Sequence, residues 1–312
     1  MSSAPRSQDA APPDRAGDAP GEALLDAPRL GRVQCLGPGG LHRLAYWEWG
    51  DPANDRVLVC VHGLTRQGRD FDVLARAMRD RYRVVCPDVP GRGESDRLAD
   101  PAGYQLPVYV ADMVTLLARL DARTVHWVGT SMGGLIGMGL AALPGSPIDK
   151  LVLNDVGPAI DAAGIARIGG YVGLPLSWAS EAEAADYLQS ISAGFGPHGR
   201  EQWLALTRPM LRRQGDRFGL HYDPAIGVAL RAITPAAAAA GQAALWAAYD
   251  AIRCPTLVLR GATSDVLSQE TAESMRQRGP HATVHELAGV GHAPTLVADD
   301  QVAVVRAFLD EP

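Results

Sequence analysis

The chain has 312 residues, 47% hydrophobic and 21% charged, with a formal net charge of -6. That is apolar material enough for one large α/β domain or two ordinary ones. The acidic balance, without a dense Lys/Arg run, gives no electrostatic reason to bind nucleic acid or an anionic membrane.

Residues 1–28 are rich in Ala, Pro, Asp and Arg and read as a disordered tail. The tail lacks the apolar block of a secretory signal, and no stretch of the chain is apolar over a membrane-spanning length, so the cytoplasm is the expected location. Two short β-like segments follow, Val33–Leu36 and Leu44–Trp49. Val57–Val61 is a continuous apolar run of strand length, as expected for a strand covered on both faces. Phe71, Leu74, Ala75 and Met78 then recur at helical spacing, and Arg83–Cys86 is another buried strand. Val110, Val114, Leu117 and Leu120 mark a helix, Thr124–Val128 a strand, Met132–Leu143 an apolar helix and Leu151–Leu153 a strand. The rhythm stops at Gly157. From there to Asp250 the chain reads as helices rich in Ala, Leu and Trp, with Glu181–Ile191 and Glu201–Arg213 the clearest and no strand evident. Alternation resumes with a strand at Thr256–Leu259, a helix at Gln269–Arg278, a strand at Thr283–Leu287 and a last helix at Val297–Leu309.

The expected architecture is therefore α/β: a mostly parallel sheet of about eight strands, antiparallel at its start, flanked by helices. Residues 29–156 and 251–312 form this core, and residues 157–250 form a helical insertion over it. Cys35, Cys60, Cys86 and Cys254 make no CxxC pair and read as free thiols, although Cys60 and Cys86 could meet on neighbouring strands.

The chemistry gathers in the loops after strands. Gly129-Thr130-Ser131-Met132-Gly133 has the form G-x-S-x-G at a strand-to-helix junction, where a sharp turn holds the serine hydroxyl above the carboxyl edge of the sheet. Gly129 and Gly133 leave room for the turn, and the following helix aims its first N–H groups at the same place. A serine hydroxyl needs a base, and His292, between the last strand and the last helix, is placed to serve. The base needs a carboxylate. Asp265, in the loop after the penultimate strand, is favoured, with Asp155, after Leu151–Leu153, as the alternative. His62-Gly63-Leu64-Thr65 follows the strand Val57–Val61. There Leu64 N–H, with Met132 N–H, is the expected oxyanion donor, Gly63 permits the turn and His62 shapes the loop. Pro90–Asp96 lacks the spacing of a dinucleotide loop and reads as a structural turn near the site rim. No cofactor and no metal is expected.

Together the His62-Gly63 pair, the G-x-G-x-S-D turn at Gly91–Asp96, the Ser131 turn, Asp265 and the Gly291-His292-Ala293-Pro294 loop resemble the α/β-hydrolase superfamily over about residues 30–310. The resemblance implies the α/β-hydrolase fold, a cap domain at 157–250 lining the pocket, and a serine esterase-like activity. Serine at position 131 argues against epoxide hydrolases and dehalogenases, which carry aspartate there. The expected function is hydrolysis of carboxylic esters of small, largely apolar molecules, hydroxyacid oligomers among them, through an acyl-enzyme. The same triad could instead cleave a carbon–carbon bond or a lactone. A non-catalytic ligand-binding protein is a third reading, which the presence of every triad member disfavours.

Overall fold

The computed structural model describes residues 27–311, so most of the expected tail lies outside the described residues. The chain forms β1 (Arg29–Gly37), β2 (Gly40–Trp49), β3 (Arg56–Val61), α1 (Asp72–Met78), β4 (Arg83–Asp88), α2 (Leu106–Leu120), β5 (Thr124–Thr130), α3 (Met132–Ala141) and β6 (Ile148–Asn154). Next come α4 (Ala162–Gly169), β7 (Ser177–Trp178), α5 (Glu181–Ile191), α6 (Arg200–Thr207), β8 (Leu211–Gln214), β9 (Arg217–Leu220), α7 (Ile226–Arg231) and α8 (Pro235–Ala251). The last elements are β10 (Thr256–Gly261), α9 (Gln269–Gln277), β11 (Thr283–Leu287) and α10 (Asp299–Asp310).

Eight strands make one sheet in the order β1-β2-β4-β3-β5-β6-β10-β11. β1 pairs antiparallel with β2 and β2 with β4, whereas every pairing from β4 to β11 is parallel. The two-residue period of a strand explains why the central strands are apolar throughout. On β3, Val57, Val59 and Val61 face a core with Met113 and Leu116 of α2 and Ile136 of α3; Leu58 and Cys60 face a second core with Leu74 and Met78 of α1 and Val305 and Leu309 of α10. Both faces are thus buried, which gives the fold class expected from the sequence. All four cysteines are free thiols.

Parallel strands open their following loops at one edge. The loops after β3, β5, β6, β10 and β11 all emerge there, and the crossover from β3 to its two neighbours β4 and β5 leaves a crevice at that edge.

The segment between β6 and β10 differs in three ways from the sequence expectation. It contains a small antiparallel sheet, β7-β9-β8, where no strand was expected. The polar stretch Arg212–Arg217 carries no hydrophobic alternation, and its turn uses Gly215 at φ 65°. The helix expected over Glu201–Arg213 ends at Thr207, because Pro209 has no N–H to continue it. Finally, the boundary at residue 250 falls inside α8, whose Tyr249 is fully buried in the sheet core and donates to Met275 O at 2.7 Å.

Candidate active site

Ser131 occupies the junction of β5 and α3 with φ 52° and ψ -116°, a conformation that L-residues avoid. Its neighbours make the turn possible. A Cβ on Gly129 would lie 2.3 Å from Gly133 O, and one on Gly133 would lie 2.0 Å from Val61 O. Only glycine fits at either position. Asn154, the last residue of β6, ties the surrounding loops together. Its carbonyl accepts from Ser131 N–H at 3.0 Å, and its amide donates to Thr130 Oγ1 at 2.9 Å and Pro294 O at 2.8 Å.

His292 spans the crevice. Its Nε2 lies 3.0 Å from Ser131 Oγ and its Nδ1 lies 2.8 Å from Asp155 Oδ2. Asp155 is fully buried at φ 55°. Its carboxylate also accepts from Gly261 N–H at 2.8 Å and from Ser264 O–H at 2.6 Å. Three donors thus satisfy the oxygens of a carboxylate that has no contact with solvent.

Asp265 does not take the place expected of it. Its carboxylate accepts a two-pronged bond from Arg167 of α4, Nε at 2.6 Å and Nη2 at 2.8 Å, and is 36% exposed. The Arg167 guanidinium holds its carboxyl below the usual carboxylate range. The acid facing His292 is the alternative, Asp155. The physical reason is strand order: β6 lies between β5 and β10, so a residue at its end falls beside the serine, whereas Asp265 stands four residues beyond β10 and turns outward. The useful signal is the position of Asp155 just past the end of β6, two residues after its apolar run Leu151–Leu153.

His62 is fully buried, its Nδ1 2.7 Å from Gly63 O, and its Nε2 accepts from Val89 N–H at 2.9 Å. Burial lowers its pKa to about 3, so it is a neutral brace for the loop and carries no titrating role near neutrality. Among the described residues, neither Leu64 N–H nor Met132 N–H donates to a protein acceptor. Gly63 sits against Ser131, with room for a Cβ 3.7 Å from the serine Cβ.

No local pattern in the sequence marks Arg92 as a site residue. Its side chain is buried, donating from Nε to Leu64 O at 2.8 Å and from Nη1 to Pro90 O at 2.7 Å and Tyr109 Oη at 3.0 Å. Holding the Leu64 carbonyl fixes the peptide chain beside the serine. The Pro90–Asp96 turn, read as structural, thus reaches the site through one side chain.

A cavity of about 90 Å³ adjoins Ser131, His62, Leu64 and His292. Residues of the segment after β6, including Leu188, Ile191, Phe195 and Met210, form apolar walls to it. Arg66 also lines it, paired to Asp70 at 2.6 and 2.7 Å.

Residues 58–307 match the model of the alpha/beta hydrolase family. The chain belongs to this family. One relative is the 3-hydroxybutyrate-oligomer hydrolase of Cupriavidus necator, 57% identical over 286 residues that cover 90% of this chain and 98% of that protein. Esterase YbfF of Escherichia coli is 27% identical, over 82% of this chain and 92% of its own length. Among solved structures, an alpha/beta hydrolase from Novosphingobium aromaticivorans is 36% identical with a TM-score of 0.80, covering 91% of this chain and 98% of that one. No helix among the described residues of this alpha/beta hydrolase is long and apolar enough to cross a membrane.

Proposed function

We propose that this hydrolase cleaves carboxylic esters through an acyl-enzyme on Ser131, and that its substrates are short oligoesters of 3-hydroxybutyrate. The observation that carries the reading is the single imidazole of His292 bonded on one side to Ser131 Oγ at 3.0 Å and on the other to Asp155 at 2.8 Å.

The steps follow from that geometry. Asp155 fixes the His292 tautomer with the proton on Nδ1, so Nε2 accepts the serine proton as Oγ attacks the ester carbonyl. Asp155 then offsets the imidazolium charge. Negative charge develops on the carbonyl oxygen, where Leu64 N–H, Met132 N–H and the positive end of α3 stabilise it. Collapse expels the alcohol, which takes its proton from Nε2. Water, deprotonated by the same nitrogen, releases the acid from the serine. A neutral His62 beside the site leaves His292 as the base.

The choice of ester rests on the 57% identity to the Cupriavidus necator protein. A small apolar cavity at the serine suits a short acyl unit, and residues 157–250 act as the cap that closes over it. The test is to incubate the purified protein with linear 3-hydroxybutyrate trimer and with a fluorophosphonate probe. The proposal expects release of shorter hydroxyacids and covalent labelling at Ser131. A folded protein that cleaves no ester and is not labelled refutes it.

A further inference from the structure

We infer that Arg167 binds the carboxylate of the departing group, so that the enzyme removes hydroxyacid units from the carboxyl end of its oligoester. The inference rests on the acyl-transfer reading above.

Two cavities meet at His292. The inner one, about 90 Å³, is bounded by Ser131 and Leu64; the outer cleft, about 620 Å³, is bounded by Thr263, Asp265 and Ser190. Arg167, Tyr171, Ile191 and His292 line both, and Ser131 and Leu64 line only the inner one. This division orients the substrate. In acylation the Ser131 Oγ–carbon bond forms and the carbon–oxygen bond of the ester breaks. The electron pair stays on the leaving oxygen, and the proton arrives from His292 Nε2. The leaving alcohol then lies on the His292 side and extends into the outer cleft, and the inner cavity takes only the one hydroxyacid unit of the acyl chain that is bonded to Ser131.

In a 3-hydroxyacid oligoester, the leaving alcohol at the carboxyl terminus itself bears a carboxylate a few bonds from the leaving oxygen. Arg167 is the guanidinium that lines this outer cleft. Its side chain is 37% exposed, and Nε and Nη2 are held by Asp265 at 2.6 and 2.8 Å. A guanidinium has five N–H donors; Asp265 occupies two and the Tyr171 hydroxyl stands against the group as well, leaving the remaining donors for a second carboxylate. Asp265 is then a positioning residue for the guanidinium. As a stability element so exposed a pair contributes little. Arg66, the other cation on the inner wall, is only 11% exposed and stays with Asp70.

The test compares the 3-hydroxybutyrate trimer as free acid with the same trimer capped as its primary amide, in the full-length protein and in Arg167→Gln and Arg167→Lys. The wild type should favour the free acid in kcat/KM by about tenfold or more, the worth of one charge-assisted contact. Arg167→Gln should bring the ratio close to one, chiefly through KM, and Arg167→Lys should restore part of it. With a tetramer labelled at its hydroxyl end, labelled trimer should precede labelled monomer. A wild-type ratio near one, a ratio unchanged in Arg167→Gln, or labelled monomer appearing first overturns the inference. If the wild type still cleaves p-nitrophenyl butyrate in those cases, the ester-hydrolase reading stands; if it cleaves no ester, both fall.

Discussion

Replacing Asp155 with asparagine separates the two carboxylates that could serve His292. The Asp155 carboxylate is fully buried and accepts three hydrogen bonds, from Gly261 N–H at 2.8 Å, Ser264 O–H at 2.6 Å and His292 Nδ1 at 2.8 Å. Asparagine keeps the shape and removes the charge. If its oxygen stays on Gly261 N–H, its amide N–H faces Nδ1; the ring must then carry its proton on Nε2 and cannot accept one from Ser131. If the amide turns the other way, it opposes the buried Gly261 N–H, which costs about 1–3 kcal/mol. Loss of tautomer and charge together predicts a fall in kcat of about 10⁴-fold, or roughly 5 kcal/mol of barrier. Asp265→Asn removes a partner of Arg167 in a pair whose side chains are 36% and 37% exposed. Such a pair is worth about 1 kcal/mol or less, so hydrolysis of a neutral ester should fall by less than about tenfold. Steady-state hydrolysis of p-nitrophenyl butyrate by both variants, with thermal melts to confirm folding, makes the comparison. A thousandfold loss in Asp265→Asn beside a mild loss in Asp155→Asn would refute the assignment.

Ser131→Gly and Ser131→Ala should both be inactive, but at φ 52° and ψ -116° glycine relieves strain that alanine keeps, so denaturant melts should find the glycine variant more stable by about 1 kcal/mol. Arg92→Lys cannot keep the fork that holds Leu64 O and Tyr109 Oη, and should lower kcat on p-nitrophenyl butyrate by about ten- to a hundredfold with little change in KM. Burial lowers the pKa of His62 to about 3 and of His126 to about 4, and raises that of Asp88 to about 6. Below pH 6.5 the unfolded chain binds two histidine protons that the fold refuses, and stability falls; below pH 6 the folded state holds an Asp88 proton that the unfolded chain does not, which partly offsets the loss. At about 1.4 kcal/mol per group per pH unit, these three groups predict a net loss of about 3 kcal/mol between pH 6.5 and 5, measurable by urea melts. A stability that is flat or rising over that interval would contradict it.

Much of this was legible because it depends on periodicity. Val57–Val61 and Thr124–Val128 announce buried strands by composition alone, and Gly129–Gly133 draws meaning from standing between a strand and a helix. What escaped depends on lateral placement. The order of strands in a sheet is not written in their order along the chain, and the acid beside His292 is decided by β6 lying next to β5. Arg92 escaped for a similar reason: nothing local says that its guanidinium reaches back to Leu64, 28 positions away. The β8–β9 hairpin escaped because its pattern is polar, and its pairing depends on the main chain more than on side chains.

A crystal structure of the protein reacted with a phosphonate ester would decide the chemistry at Ser131. Phosphorus should be bonded to Ser131 Oγ, with the phosphoryl oxygen accepting from Leu64 N–H and Met132 N–H and His292 Nδ1 donating to Asp155. An adduct on another residue, or a His292 ring turned to Asp265 with Asp155 unbonded, would contradict that chemistry.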